Sequence, residues 1–343
     1  MSQISERKNR PTVAVIIPFY NGADWVERAI KSVMEQTVQP NEFIIVNDGS
    51  KPEERSALGR LAEQYPFSII DKENGGQGSA RNVGVAASTS DFISLLDQDD
   101  YYFPDHIRDL VDAIPESDSR LGFVYADLCA ADGPGNIMHS NMLRQQPGMH
   151  PKQGHIADLL RRDLFILPSA ALIRRTAFDA VGGFDEQFMG YEDDDLFLRM
   201  FRAGFTNHFL DKPVTAWCQH TGSTSWSVKM SRSRWRYFKK LVASFPDDYF
   251  TKVYFFRDCL VPRFGHEFVR EAAKAVKTSS PNQDELVQIL VEYSEIVSAS
   301  SSIDRRYKKR IRLMAWALSS CPRGLLLVAR KMTGLPLVGR FVA

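Results

Sequence analysis

The stretch that most constrains this chain is Asp91-Phe92-Ile93-Ser94-Leu95-Leu96-Asp97-Gln98-Asp99-Asp100, an apolar run that ends abruptly in three carboxylates within four positions. A segment rich in Phe, Ile and Leu, preceded by the turn-forming Ala87-Ser88-Thr89-Ser90, reads as a buried strand with acids at its carboxyl end. If the extended geometry persists, Asp97 and Asp99 point to the same side. Two carboxylates there repel each other, and a divalent cation removes the repulsion while offering open positions to phosphate oxygens. A solvated acidic turn capping a helix that starts near Pro104 accounts for the same residues. The choice between the two rests on the rest of the chain.

Val13-Ala14-Val15-Ile16-Ile17-Pro18 is a near-continuous apolar run closed by Phe19-Tyr20-Asn21-Gly22, a buried first strand and a turn. Trp25, Val26, Ile30, Val33 and Met34 then recur at amphipathic helical spacing. Glu42 to Val46 is a second buried strand, ended by Asn47-Asp48-Gly49-Ser50; a helix over about 53–64 leads to a third strand at Phe67 to Ile70. This rhythm implies a parallel sheet with right-handed crossovers. Ligands bind such sheets beyond the carboxyl ends of the strands, which places Pro18 to Asn21, Asp48 and Asp97 to Asp100 along one rim.

Asn74-Gly75-Gly76-Gln77-Gly78-Ser79-Ala80-Arg81 is a glycine-rich turn entering a helix, but neither a dinucleotide fingerprint nor a P-loop. Ser79 suits the helix cap, and Arg81 in the first turn could reach a phosphate. Pro104 to Ile114 is expected as a helix, Gly122 to Ala126 as a strand, residues 132–156 as a long loop on the acceptor side, Phe165 to Ile173 as a strand and Thr176 to Val181 as a short helix. Glu192-Asp193-Asp194-Asp195 then opens an amphipathic helix ending near Gly204. Acids complement a helix N-terminus, yet four in a row repel each other beyond what capping needs, which points to a functional site. Pro213 to Trp217 should form a strand leading to His220, followed by a small-residue loop of the kind that closes as a lid.

The composition becomes helical and charge-rich near residue 230. Residues 301–343 hold ten Lys or Arg against one acid, Asp304, so the body of the chain is acidic although the formal net charge is only +1. A basic segment, Arg305 to Arg312, beside short apolar stretches and Trp316 has the pattern of an element lying in a membrane interface, with packing on the domain or in a homodimer as the alternative. No nucleic-acid-binding fold accompanies it. Cys129, Cys218, Cys259 and Cys321 form no C-x-x-C pair, which argues against zinc and a disulfide framework and fits a reducing compartment. The first ten residues are polar and lack a signal-peptide core, and no uncharged apolar run approaches the roughly 20 residues of a spanning helix.

Taken in order, Val13 to Asn21, Val46 to Ser50, Gly78 to Gly84, Asp97 to Asp100, Gly183-Phe184-Asp185 and Glu192 to Asp195 resemble the family 2 inverting glycosyltransferases. The resemblance covers about residues 11–228. It implies a GT-A fold: an α/β, Rossmann-like mixed sheet flanked by helices. A flexible N-terminus (1–10) precedes that domain, and a helical C-terminal region with a basic amphipathic tail (229–343) follows it. It further implies donor contacts from Pro18, Tyr20, Asp48, Arg81, Asp97 and Asp99. Mg²⁺ or Mn²⁺ would be held by Asp99 and His220, and Asp193 would be the catalytic base. Asn21, Asp100, Glu192 and Asp194 stand as supporting residues, with the choice of base open by one position. The donor expected is a nucleotide sugar, UDP-sugar favoured. The acceptor expected is a glycan or lipid-linked glycan, with the enzyme on the cytoplasmic membrane face through residues 305–343.

Direct displacement needs one base and inverts the anomeric centre, whereas a glycosidase needs two carboxylates flanking its bond. A sugar nucleotidyltransferase shares the sheet type but should carry a glycine-rich basic loop after the first strand, which Pro18 to Gly22 is not. A non-catalytic scaffold of a polysaccharide-assembly complex has no need of Asp48, Asp97, Asp99 and Asp193 together.

Overall fold

A computed structural model describes residues 10–146, 150–152, 154–220 and 227–320. In chain order the elements are β1 (Val13–Phe19), α1 (Ala23–Met34), β2 (Glu42–Asp48), α2 (Pro52–Ala62), β3 (Ser68–Lys72), α3 (Gln77–Ala86), β4 (Phe92–Leu95), β5 (Tyr101–Tyr102), α4 (His106–Asp112), β6 (Leu121–Asp132) and β7 (Ile137–His139). They continue with α5 (Ile156–Leu160), β8 (Ala171–Arg174), α6 (Arg175–Ala180), α7 (Glu192–Arg202), β9 (Thr206–Gln219), α8 (Val228–Ser244), α9 (Val261–Thr278), α10 (Gln283–Ala299) and α11 (Arg305–Ser320). The chain divides into two compact units: Met1–Gly154 with Leu164–Trp226, and His155–Asp163 with Ser227–Ala343.

The first unit is built on one mixed sheet of order β3-β2-β1-β4-β8-β6-β9-β5, with β7 paired to β6. β1, β2, β3 and β4 run parallel. From β8 onward the pairing is antiparallel except for β6 with β9. Every residue of β1 and β4 is buried, as the unbroken apolar runs required. Val26, Ala29, Ile30 and Val33 of α1 pack into the core formed with β1 and β2. α3 lies so close to the sheet that a Cβ on Gly84 would sit 2.5 Å from Ile16, so only glycine fits there.

Several expectations change. β4 stops at Leu95, and Asp97 to Asp100 form a turn closed by the Asp100 amide on the Asp97 carbonyl at 3.1 Å. Strand alternation therefore does not place Asp97 and Asp99. Residues 168–170 form a 3₁₀ turn, and β8 covers only Ala171–Arg174. α3 begins at Gln77 with Gly76 before it, so Ser79 lies inside the first turn and is not the cap. The long loop contains β7, and β6 and β9 are much longer than their apolar centres. Parallel pairing carries both through polar residues such as Asn207 and His208, with register shifts that absorb the irregularity.

The second unit is helical, with an aromatic core of Trp235, Tyr237, Phe238, Phe264, Phe268 and Tyr293. The Tyr293 and Tyr307 hydroxyls, 3.1 Å apart, tie α10 to α11. Among the described residues no helix is long and apolar enough to cross a membrane.

Candidate active site

The acidic turn is held from three directions. The Gln98 side chain pairs with the Tyr20 backbone, accepting from its amide at 2.8 Å and donating to its carbonyl at 3.2 Å. A Cβ on Gly22 would overlap that amide at 2.3 Å, so the β1 loop needs glycine for Gln98 to lie across it. Asp100 is buried and accepts from the Cys218 amide at 2.8 Å, fastening the turn to the end of β9. Burial first, then the charges of Asp99 and Asp97, push its carboxyl well above the usual carboxylate range. The same β9 end carries His220, whose Nε2 lies 2.8 Å from Asp99 Oδ2. Asp99 is raised by burial and then by the charge of Asp97, while His220 works in the opposite direction.

The four acids of α7 have different fates. Glu192 is buried and accepts from Gln77, from Arg81 Nη1 at 3.1 Å and from the Gly190 amide at 2.7 Å. Asp194 accepts the Leu164 amide at 2.9 Å, and Asp195 pairs with Arg199 at 2.8 Å. Asp193 is the least buried of the four and accepts from the adjacent Asp194 amide at 2.8 Å. Burial, followed by the charges of Glu192 and Asp194, pushes Asp193 well above the usual carboxylate range. The helix is entered through Gly190 and Tyr191, both at positive φ, a sharp corner that sets the acids at the start of α7.

Arg81 joins the two acidic segments. Its guanidinium, only 1% exposed, contacts Asp97 with one terminal nitrogen and Glu192 with the other, above the Phe184 ring. Burial opposes the charge, but Asp97 and Glu192 outweigh it and raise the pKa, so Arg81 stays cationic. Both ends are spent on protein carboxylates, which makes it a brace between α3, the acidic turn and α7.

At the far side of the rim, Asp48 is 2% exposed. It accepts from Lys72 Nζ at 2.7 Å and from the Gly75 and Gly76 amides at 2.9 and 2.8 Å. Its carboxylate thus holds the glycine-rich loop and the lysine. Pro18 is buried at the end of β1, Tyr20 is 46% exposed, and Asn21 bonds the loop after β2 through the Ser50 hydroxyl and the Lys51 amide, each at 3.0 Å.

The structure brings Asp97, Asp99 and Asp100 together with His220, and links Asp97 through Arg81 to the start of α7. It shows Asp48, Arg81, Asp100, Glu192 and Asp194 bonded within the protein. Lys72, Gln77 and Gln98 contact the expected site residues, as do Trp25 and Arg28 at the Asp99–His220 end, and sequence reasoning missed all five as site neighbours. Lys72 had a signal: it pairs with Asp48 across β2 and β3. The others sit on helices or in a turn whose neighbours come from distant segments.

Asp99 and His220 offer one carboxylate oxygen and one imidazole nitrogen side by side, in a turn where burial and neighbouring charge raise Asp99 and Asp100. These residues fit a divalent cation with coordination positions left for phosphate oxygens. Among the described residues, no three His, Cys, Asp or Glu side chains gather as a closed metal cage.

Residues 14–182 match the family described as Glycosyl transferase family 2, and residues 169–221 match the N-terminal domain of galactosyltransferase. An uncharacterized glycosyltransferase of Rickettsia typhi is 30% identical over 239 residues, covering 67% of this chain and 72% of the relative. Counterparts in Rickettsia conorii and Rickettsia prowazekii are each 31% identical over 58% and 56% of this chain, which spans 34% and 59% of their lengths. Among solved structures, S. aureus TarS 1-349 in complex with UDP-GlcNAc aligns with a TM-score of 0.61 and 15% identity, covering 93% of this chain and 92% of that one. Mannosyltransferase PcManGT from Pyrobaculum calidifontis, in complex with GDP-Man and Mn²⁺, aligns at 0.54 and 17%, covering 94% and 89%. With the mixed sheet, the ordered acidic segments and these likenesses in agreement, the chain belongs to glycosyltransferase family 2 and has the GT-A fold.

Proposed function

We propose that this protein is an inverting, metal-dependent glycosyltransferase that moves a sugar from a nucleoside-diphosphate donor, a UDP-sugar in preference, to a hydroxyl of a glycan or lipid-linked glycan in bacterial surface polysaccharide synthesis. The observation that carries this reading is the fate of the acids on α7: three accept from residues outside the first turn, whereas the bond of Asp193 is to the neighbouring Asp194 amide, on a helix that Arg81 joins to the acidic turn. A raised, partly exposed carboxyl suits a general base. As the acceptor oxygen attacks the anomeric carbon, Asp193 takes its proton, and the bond to the diphosphate breaks with its electron pair leaving on the phosphate oxygen. Attack from the opposite face inverts the centre.

Asp99 and His220 would hold Mg²⁺ or Mn²⁺, whose Lewis acidity offsets charge on the leaving diphosphate. Pro18 and Tyr20 line the nucleoside end. Asp48 serves that end through Lys72 and the loop it holds, and Asp97 is the donor-facing carboxylate braced by Arg81. The complexes of the solved relatives with UDP-GlcNAc, and with GDP-Man and Mn²⁺, support a nucleotide sugar and a cation here. Peripheral contact with the inner face of the membrane through residues 305–343 belongs to the same reading; 321–343 lie outside the described residues.

A thermal-shift screen of UDP- and GDP-sugars with and without Mn²⁺ identifies the donor, because a true donor stabilises the fold by mass action. With that donor, Asp193→Asn is expected to lower transfer by about 10²–10⁴-fold while the donor-induced shift persists. Unimpaired transfer under matched donor and metal would remove Asp193 as the base.

A further inference from the structure

We infer that Trp25 and Arg28 are positioning residues for the Asp99–His220 pair, one face of α1 setting the plane of the imidazole and the placement of the acidic turn. The inference rests on the reading of that pair as the cation site. Trp25 and Arg28 stand three residues apart and therefore share a helix face. The Trp25 indole stacks on the His220 ring with centroids 4.8 Å apart and planes 11° from parallel. His220 directly follows the last residue of β9, and an aromatic platform of this kind removes rotation that a histidine just beyond a strand end otherwise has.

Arg28 works on the other member. One terminal nitrogen donates to the Asp99 carbonyl at 2.7 Å and contacts Cys218 Sγ at 3.3 Å, and the other donates to the Gly133 carbonyl at 2.9 Å. Its guanidinium lies 6.0 Å from the Trp25 ring and 5.4 Å from the Tyr101 ring. One cation thus ties the acidic turn, the turn after β6 and the end of β9. Its charge meets the Asp99 carbonyl, leaving the Asp99 carboxylate to face His220.

α1 begins directly after the loop that carries Tyr20 and Asn21, beyond Pro18 near the end of β1, so a single helix has the expected nucleoside loop at its start and the cation pair on its side. Groups that orient metal ligands without touching the metal typically cost about 10–100-fold in affinity when lost.

The experiment is a Mn²⁺ titration of the full chain in the presence of UDP, followed by EPR of the free ion, with metal-free UDP binding measured in parallel by calorimetry. Trp25→Leu and Arg28→Met are each expected to weaken Mn²⁺ uptake by about tenfold, with Trp25→Phe within about threefold of the parent because it keeps the platform. Metal-free UDP binding should stay unchanged. Wild-type Mn²⁺ affinity in Trp25→Leu would overturn the inference, as would a parallel loss of metal-free UDP binding, the mark of a general structural role. If the parent chain takes up no Mn²⁺ with UDP, or if His220→Ala takes it up as tightly as the parent, the cation reading fails and the inference falls with it.

Discussion

Asp193 shares its helical turn with three other carboxylates and differs from them in what it touches. Glu192, Asp194 and Asp195 each accept from a residue outside the first turn of the helix, whereas Asp193 accepts from the adjacent Asp194 amide, and burial followed by the charges of Glu192 and Asp194 holds it protonated to higher pH. The folded chain therefore holds this proton more tightly than the unfolded chain does. Its stabilising contribution is full below the unfolded pKa and is lost as pH rises through the folded one. Asp193→Asn keeps a neutral group there, so above neutrality the variant should melt higher by about 2–4 °C, about 1 kcal/mol. The gain should vanish as pH falls below about 3.9. Melting curves at several pH values test this, and no gain above neutrality would mean that Asp193 ionises as an ordinary carboxylate.

α3 and α7 meet through charge. Arg81 on α3 reaches both Asp97 beyond β4 and Glu192 on α7, and Gln77 on the preceding turn reaches the same glutamate. The sequence placed α3 after a glycine-rich turn and α7 by its amphipathic spacing, and put Arg81 in a first turn from which it could reach a phosphate. The structure instead turns it inward, because a cation at that depth requires opposite charges and two acidic segments supply them. Arg81→Met leaves buried Glu192 without its cation and is expected to cost about 3–5 kcal/mol in a denaturant melt. Arg81→Met combined with Glu192→Gln should recover much of that loss, and equal stability of the single and double variants would contradict the brace.

For the whole molecule, the acidic body and the basic C-terminal region belong to different units. On α11, Ile311 and Ala315 face inward, whereas Arg305, Lys309, Leu313 and Trp316 are exposed, the last two at 59% and 58%. Each Lys or Arg near anionic lipid contributes about 1 kcal/mol. The full chain is expected to co-sediment with vesicles containing anionic lipid, less so at high salt, and Arg305→Gln with Lys309→Gln and Trp316→Ala should weaken binding by about tenfold or more. Unchanged co-sedimentation of that variant would remove α11 from the contact.

The sequence alone determined the first buried strands, their parallel pairing and the acidic segments, because buried strands must be apolar and clustered carboxylates must repel, and both are local facts. It also carried the family, through motifs in a fixed order. Only the tertiary structure decided which acids of α7 are bound by residues beyond their own turn, that Asp48 holds a loop and that Arg81 is a brace. It also placed Trp25 and Arg28 beside Asp99 and His220. Each outcome depends on which donors have already been used by residues far along the chain, and hydrogen-bond saturation leaves no trace in local spacing.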